Sequence, residues 1–212
     1  MNVLLDFVSF LKNPILEKYE NQEFTYKIQV FFLLLFGCFA ISFFLSIIIG
    51  MLYSSGLIEN DYHAFDKLKQ LPAYQVFLTA AVIGPFIEEI LFRAPLVLFK
   101  SPLKLYVYLI PFSKQKIEFP KIEINAFKNP NVFRYAFYGC TIAFGFMHLM
   151  NYQIDTQIII FSPILVAPQL ILGLIFGYVR VRLGLVWAIA MHATYNGILV
   201  SLALLAKDVV PQ

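Results

Sequence analysis

Five ionisable side chains stand inside otherwise apolar stretches of the sequence: Glu88, Glu89, Arg93, His148 and His192. The polar Asn196 accompanies them. These residue types suit the hydrolysis of an acyl bond by activated water. A carboxylate such as Glu88 and an imidazole such as His148 can hold a water and take its proton. An imidazole and a carboxamide, here His192 and Asn196, can donate hydrogen bonds to the oxyanion that forms. Glu89 and Arg93 are four residues apart, so on a helix they share a face and can pair. Glu88 stands about 100° around the same helix, which predicts different roles for the two carboxylates. His192 and Asn196 are also four apart, and the small Ala188 and Ala193 beside them leave the approach open. No Ser–His–Asp or Cys–His constellation is visible at similar depth, which argues against a covalent nucleophile.

These residues must be positioned by an unusual chain. Of its 212 residues 60% are hydrophobic and 14% charged, against about 45–50% and 25% in soluble domains. So few charges cannot cover a water-facing surface, which excludes a soluble globular enzyme, a disordered chain and a coiled coil. A net charge of +3, scattered along the chain, gives no footprint for nucleic acid. Cys38 and Cys140 lie in apolar stretches and read as small core residues. The expected fold is an all-α, polytopic transmembrane helix bundle.

Spans follow from charge-free runs, since a hydrocarbon core of ~30 Å needs about 20 apolar residues. Segments 28–58, 135–154, 156–179 and 183–206 contain no Asp, Glu, Lys or Arg. A fifth span, 73–99, carries Glu88, Glu89 and Arg93. The chain thus divides into an amphipathic segment 1–26, a first span with its loop 27–72, a core 73–206 containing a basic loop at 100–130, and a tail 207–212. An apolar patch at 103–112 is too short to cross and suits the interface. In the first segment Asn2, Asp6, Ser9 and Asn13 form a stripe opposite Val3, Leu4, Phe7, Val8 and Leu11. That pattern fits a helix lying in the interface, or an ordinary packed amphipathic helix. It lacks the basic start and the cleavage site of a signal peptide.

Basic residues orient the spans. Segment 100–134 holds six Lys together with Arg134, and Arg180 and Arg182 occupy another connection; the connection at Asp155 has none. The alternation places the N-terminus in the cytoplasm and the C-terminus outside. Gly173 and Gly177 form a G-x-x-x-G pair suited to close helix packing, while Pro163 and Pro168 should kink their span. Counting inward at about 1.5 Å per residue puts Glu88, His148, His192 and Asn196 at ~14–20 Å, in one layer.

The residues also form three ordered motifs. Glu88-Glu89-Ile-Leu-Phe-Arg93 reads E-E-x-x-x-R, Phe144 to His148 reads F-x-x-x-H, and His192 to Asn196 reads H-x-x-x-N. In this order, on separate spans, they resemble the CPBP family of intramembrane proteases. That family includes the CAAX prenyl endopeptidases and bacterial bacteriocin-processing or immunity proteins, and the resemblance covers residues 73–206. It implies an intramembrane endopeptidase of glutamic type, with Glu88, His148, His192 and Asn196 catalytic. Glu89 and Arg93 would then hold the helix that presents Glu88, and Phe144 would pack beside His148. Ala94 stands where the family often has Gly, and the long basic segment resembles an insertion.

The short chain resembles bacterial members, which implies a multi-pass protein of the bacterial inner membrane. Its expected partners are membrane lipids and a membrane-associated peptide or protein substrate, with no nucleic acid. No cofactor is expected. The alternative is zinc bound by Glu88, His148 and His192 with an open position, although H-E-x-x-H is absent and Asn196 is a poor zinc ligand. A second alternative keeps the fold as a non-proteolytic immunity or scaffold protein. Use of the same groups as a transporter's proton relay would predict inverted repeats, and none is visible.

Overall fold

A computed structural model describes residues 2–17, 23–58, 71–93, 96 and 129–209. Every element among them is helical. Helix α1 covers Val3–Lys12, and α2 covers Phe24–Ser54. Helix α3, Ala73–Phe77, runs through a π-helical segment, Leu78–Ile83, into α4, Gly84–Phe92. Helix α5, Pro130–Met147, passes into a 3₁₀ turn, His148–Asn151. Helices α6, α7 and α8 follow at Thr156–Leu165, Ala167–Arg182 and Leu185–Val209. The basic residues 100–128, the apolar patch 103–112, Ala94 and positions 210–212 lie outside the described residues.

Four helical stretches are long and apolar enough to cross a membrane: Phe24–Ser54, Ala73–Phe92, Thr156–Arg182 and Leu185–Ala206. The chain is a multi-pass integral membrane protein with an all-α bundle. Helix α5, expected at 135–154, instead starts at Pro130 and leaves the α-helix at Met147. Its start is fixed by Asn129, whose side chain accepts from the Asn131 N–H, and by Pro130 in the first helical position. At 18 residues it is about 27 Å long, and Asn131 and Arg134 in its first turns make it more polar than the four. Its Phe133, Phe137 and Phe144 are nonetheless buried, because α5 lies against α7.

Glycines set that packing. A Cβ on Gly177 would stand 2.7 Å from the Phe137 ring, and one on Gly173 would stand 3.2 Å from the Phe144 ring. The G-x-x-x-G pair therefore does face a neighbouring helix at close approach. The span expected at 156–179 is broken at Val166, with Pro163 before the break and Pro168 after it. A proline lacks the amide N–H that would continue the helix, so the bend is where the sequence places it.

Helix α1 docks on the bundle. Asn2 caps it by accepting from the Leu4 and Leu5 N–H groups, and Phe10 is buried edge-on to Phe137 and Tyr178. Asp6 turns inward, accepting from the Tyr178 hydroxyl at 2.7 Å and facing Arg182 Nε at 3.4 Å. The polar stripe thus binds protein through Asp6, while Leu4, Leu5 and Val8 stay exposed on the outer side.

Candidate active site

His192, on α8, sits between the two glutamates of α4. Its Nδ1 lies 3.0 Å from Glu89 Oε1, and its Nε2 lies 3.7 Å from Glu88 Oε2. The first distance is a hydrogen bond and the second is not. Phe176, on α7, stacks on the imidazole at 4.6 Å between ring centres, and Phe144 meets it edge-on at 5.9 Å. Two rings therefore fix the plane of His192, and Glu89 fixes its rotation.

The two carboxylates occupy different surroundings, as their angular separation on the helix predicts. Glu89 is fully buried, whereas the Glu88 side chain keeps 23% exposure. Glu89 Oε2 lies 3.8 Å from Arg93 Nε, so the expected i, i+4 pair exists as an ion pair longer than a hydrogen bond. Arg93 is itself 1% exposed, with its guanidinium 4.4 Å from the Phe144 ring centre. It fits because Gly173 has no side chain: a Cβ there would lie 3.3 Å from Arg93 Nη2. The Arg93 carbonyl accepts from Arg180 Nε at 3.2 Å, which ties the end of α4 to α7.

His148 follows the last residue of α5. Its Nδ1 is 2.8 Å from the Phe144 carbonyl oxygen, which can only accept, so Nδ1 carries the proton. In the neutral ring Nε2 is then a lone-pair acceptor, the form a base requires. The His148 ring meets Phe144 edge-on at 4.9 Å. Phe144 thus touches both imidazoles and the Arg93 guanidinium, linking three of the polar side chains. Asn196, one turn beyond His192, donates from Nδ2 to the Ala80 carbonyl at 3.0 Å. Ala80 belongs to the π-helical segment, whose altered hydrogen-bond spacing can free a carbonyl for an outside donor. The second Asn196 amide hydrogen is not used by that bond.

The structure gathers Glu88, Glu89 and His192 in direct contact, with Arg93 and Phe144 around them. His148 reaches the group through the shared Phe144 ring. Among the described residues, no three His, Cys, Asp or Glu side chains are grouped to hold a metal ion. The set Glu88, His148 and His192 is therefore not gathered as ligands. Three parts of the site carried no signal in the sequence. Phe176 is one of 23 phenylalanines, the Ala80 carbonyl is backbone, and the Glu89–His192 bond joins residues far apart in the chain.

No curated protein and no solved structure matches the chain. A family profile does match, over residues 70–198, which is more than half of the 212 residues and contains all three motifs. It describes Rce1-like type II CAAX prenyl endopeptidases. The chain, a helical membrane protein with two glutamates closed around one histidine, belongs to this protease family.

Proposed function

We propose that the protein is an intramembrane endopeptidase that hydrolyses a peptide bond of a membrane-associated substrate with activated water. The observation that carries this reading is His192 held between a buried Glu89 and a partly exposed Glu88. Glu88 is the general base, and its Oε2 has no hydrogen-bond partner among the described residues. One water O–H points to Glu88 and the other to His148 Nε2. The oxygen attacks the scissile carbonyl as Glu88 takes the proton. Glu88 then returns that proton to the leaving amine.

The oxyanion is received by His192 Nε2–H and by the second Asn196 amide hydrogen. His192 must keep Nδ1–H toward Glu89 while it donates from Nε2, so it acts as the imidazolium. The two carboxylates thus divide the work, with Glu88 moving the proton and Glu89 holding the donor.

The family's description supplies the first substrate to test, a peptide ending in a prenylated CAAX sequence. Purified protein should cleave it, and dialysis against a chelator should leave that rate unchanged. Loss of activity on chelation, restored by zinc, would replace this mechanism with a metal-dependent one. With α5 as a fifth crossing beside the four longer stretches, the basic connections place the N-terminus in the cytoplasm and the C-terminus outside. A reporter active only outside the cytoplasm should work when fused after Gln212; one active only in the cytoplasm working there would reverse the assignment.

A further inference from the structure

We infer that Gln169 is a substrate-binding residue, accepting a main-chain N–H of the peptide beside the scissile bond. The inference rests on the peptidase reading above. Three contacts fix how α5 and α7 run past each other. Gly177 meets Phe137, Gly173 meets Thr141 and Phe144, and Gly145 meets Leu170. Position numbers fall on one helix as they rise on the other, so the helices are antiparallel. One turn further along α5 is His148, and one turn before Gly173 on the same face of α7 is Gln169. Gln169 therefore stands within about one turn of His148. The adjacent break agrees, because Leu149 and Tyr152, which follow His148, pack on the apolar cluster that contains Leu165.

Gln169 is a carboxamide in a membrane-spanning stretch, and its Oε1 is buried with no hydrogen-bond partner among the described residues. Such an acceptor normally bonds a neighbouring helix. The donors and acceptors of the site give it another use. His192 and Asn196 donate to the substrate carbonyl, while Glu88 and His148 accept from the water. None of the four is left to accept from the substrate's own N–H groups. A peptide drawn into a site at membrane depth turns its main-chain N–H groups away from bulk water, and each needs an acceptor. Gln169 Oε1 supplies that acceptor on the His148 side, and it reads the main chain rather than a side chain.

The test uses full-length protein in lipid nanodiscs and a fluorogenic prenylated CAAX peptide. Gln169→Leu should raise KM by about ten- to a hundredfold, as expected for a buried hydrogen bond lost to the substrate, with kcat within about twofold. Gln169→Met, closer in shape, should behave alike, and both should melt with the wild-type protein. N-methylation of the peptide amides one residue before and one residue after the scissile bond then gives a cycle. One of the two should raise the wild-type KM by a similar factor and leave the Gln169→Leu KM unchanged. If wild type cleaves but both variants keep its KM, or N-methylation affects variant and wild type equally, Gln169 is only a packing residue. If wild type neither binds nor cleaves the peptide, the peptidase reading falls and this inference falls with it.

Discussion

Glu88→Gln should abolish peptide cleavage while leaving the protein as abundant and as thermally stable as wild type. The amide fills the same space but cannot take a proton from water, and loss of a general base costs typically 10²- to 10⁴-fold in rate. Stability should be preserved because Glu88 holds nothing in place. Its side chain is 23% exposed, its distance to His192 Nε2 is 3.7 Å, and Oε2 bonds to none of the described residues. The drop should appear in kcat, since the Gln can still accept a hydrogen bond from the water it no longer deprotonates. Cleavage by Glu88→Gln at more than a tenth of the wild-type rate would remove Glu88 from the chemistry.

Much of this site is legible in the amino-acid sequence, for physical reasons that differ from residue to residue. Glu88, Glu89, Arg93, His148 and His192 are conspicuous because ionisable groups in apolar stretches are costly and rarely kept without use. The angular separation of Glu88 and Glu89 follows from helix geometry alone, and their different burial agrees with it. Pro163 and Pro168 mark the bend at Val166 because proline chemistry is local. What stays hidden is non-local. The bond between Glu89 and His192 depends on how α4 meets α8, and periodicity within each helix does not encode that. Phe176 has a type too common in this chain to stand out, and the G-x-x-x-G pair marks Gly173 for close packing without showing that Arg93 lies beside it. The π-helical segment has no residue type of its own, so the carbonyl of Ala80 could not be read as Asn196's partner. The end of α5 escapes for a related reason: apolar residues continue past Met147, and the change to a 3₁₀ turn leaves the hydropathy untouched.

Glu89→Gln should give the opposite pattern to Glu88→Gln, with stability lost first and activity lost with it. The substitution leaves Arg93 buried at 1% exposure, with its only described ion-pair partner neutralised. Leaving one charge of a buried pair uncompensated costs roughly 3–5 kcal/mol. Thermal unfolding in detergent should therefore occur at a clearly lower temperature, and less protein should accumulate. Glu89 also accepts from His192 Nδ1 at 3.0 Å, so the imidazole loses the carboxylate that fixes its rotation. A second change separates the two effects. In Glu89→Gln/Arg93→Met no unpaired charge remains, and removing both members of a buried pair is often neutral or stabilising. The melting temperature should return towards wild type. The rate should not, because His192 still lacks a carboxylate and stays a weaker oxyanion donor. Recovery of both together would mean that Glu89 acts only through Arg93. A fully stable, inactive Glu89→Gln beside an active Glu88→Gln would exchange the two carboxylates, making the buried one the base.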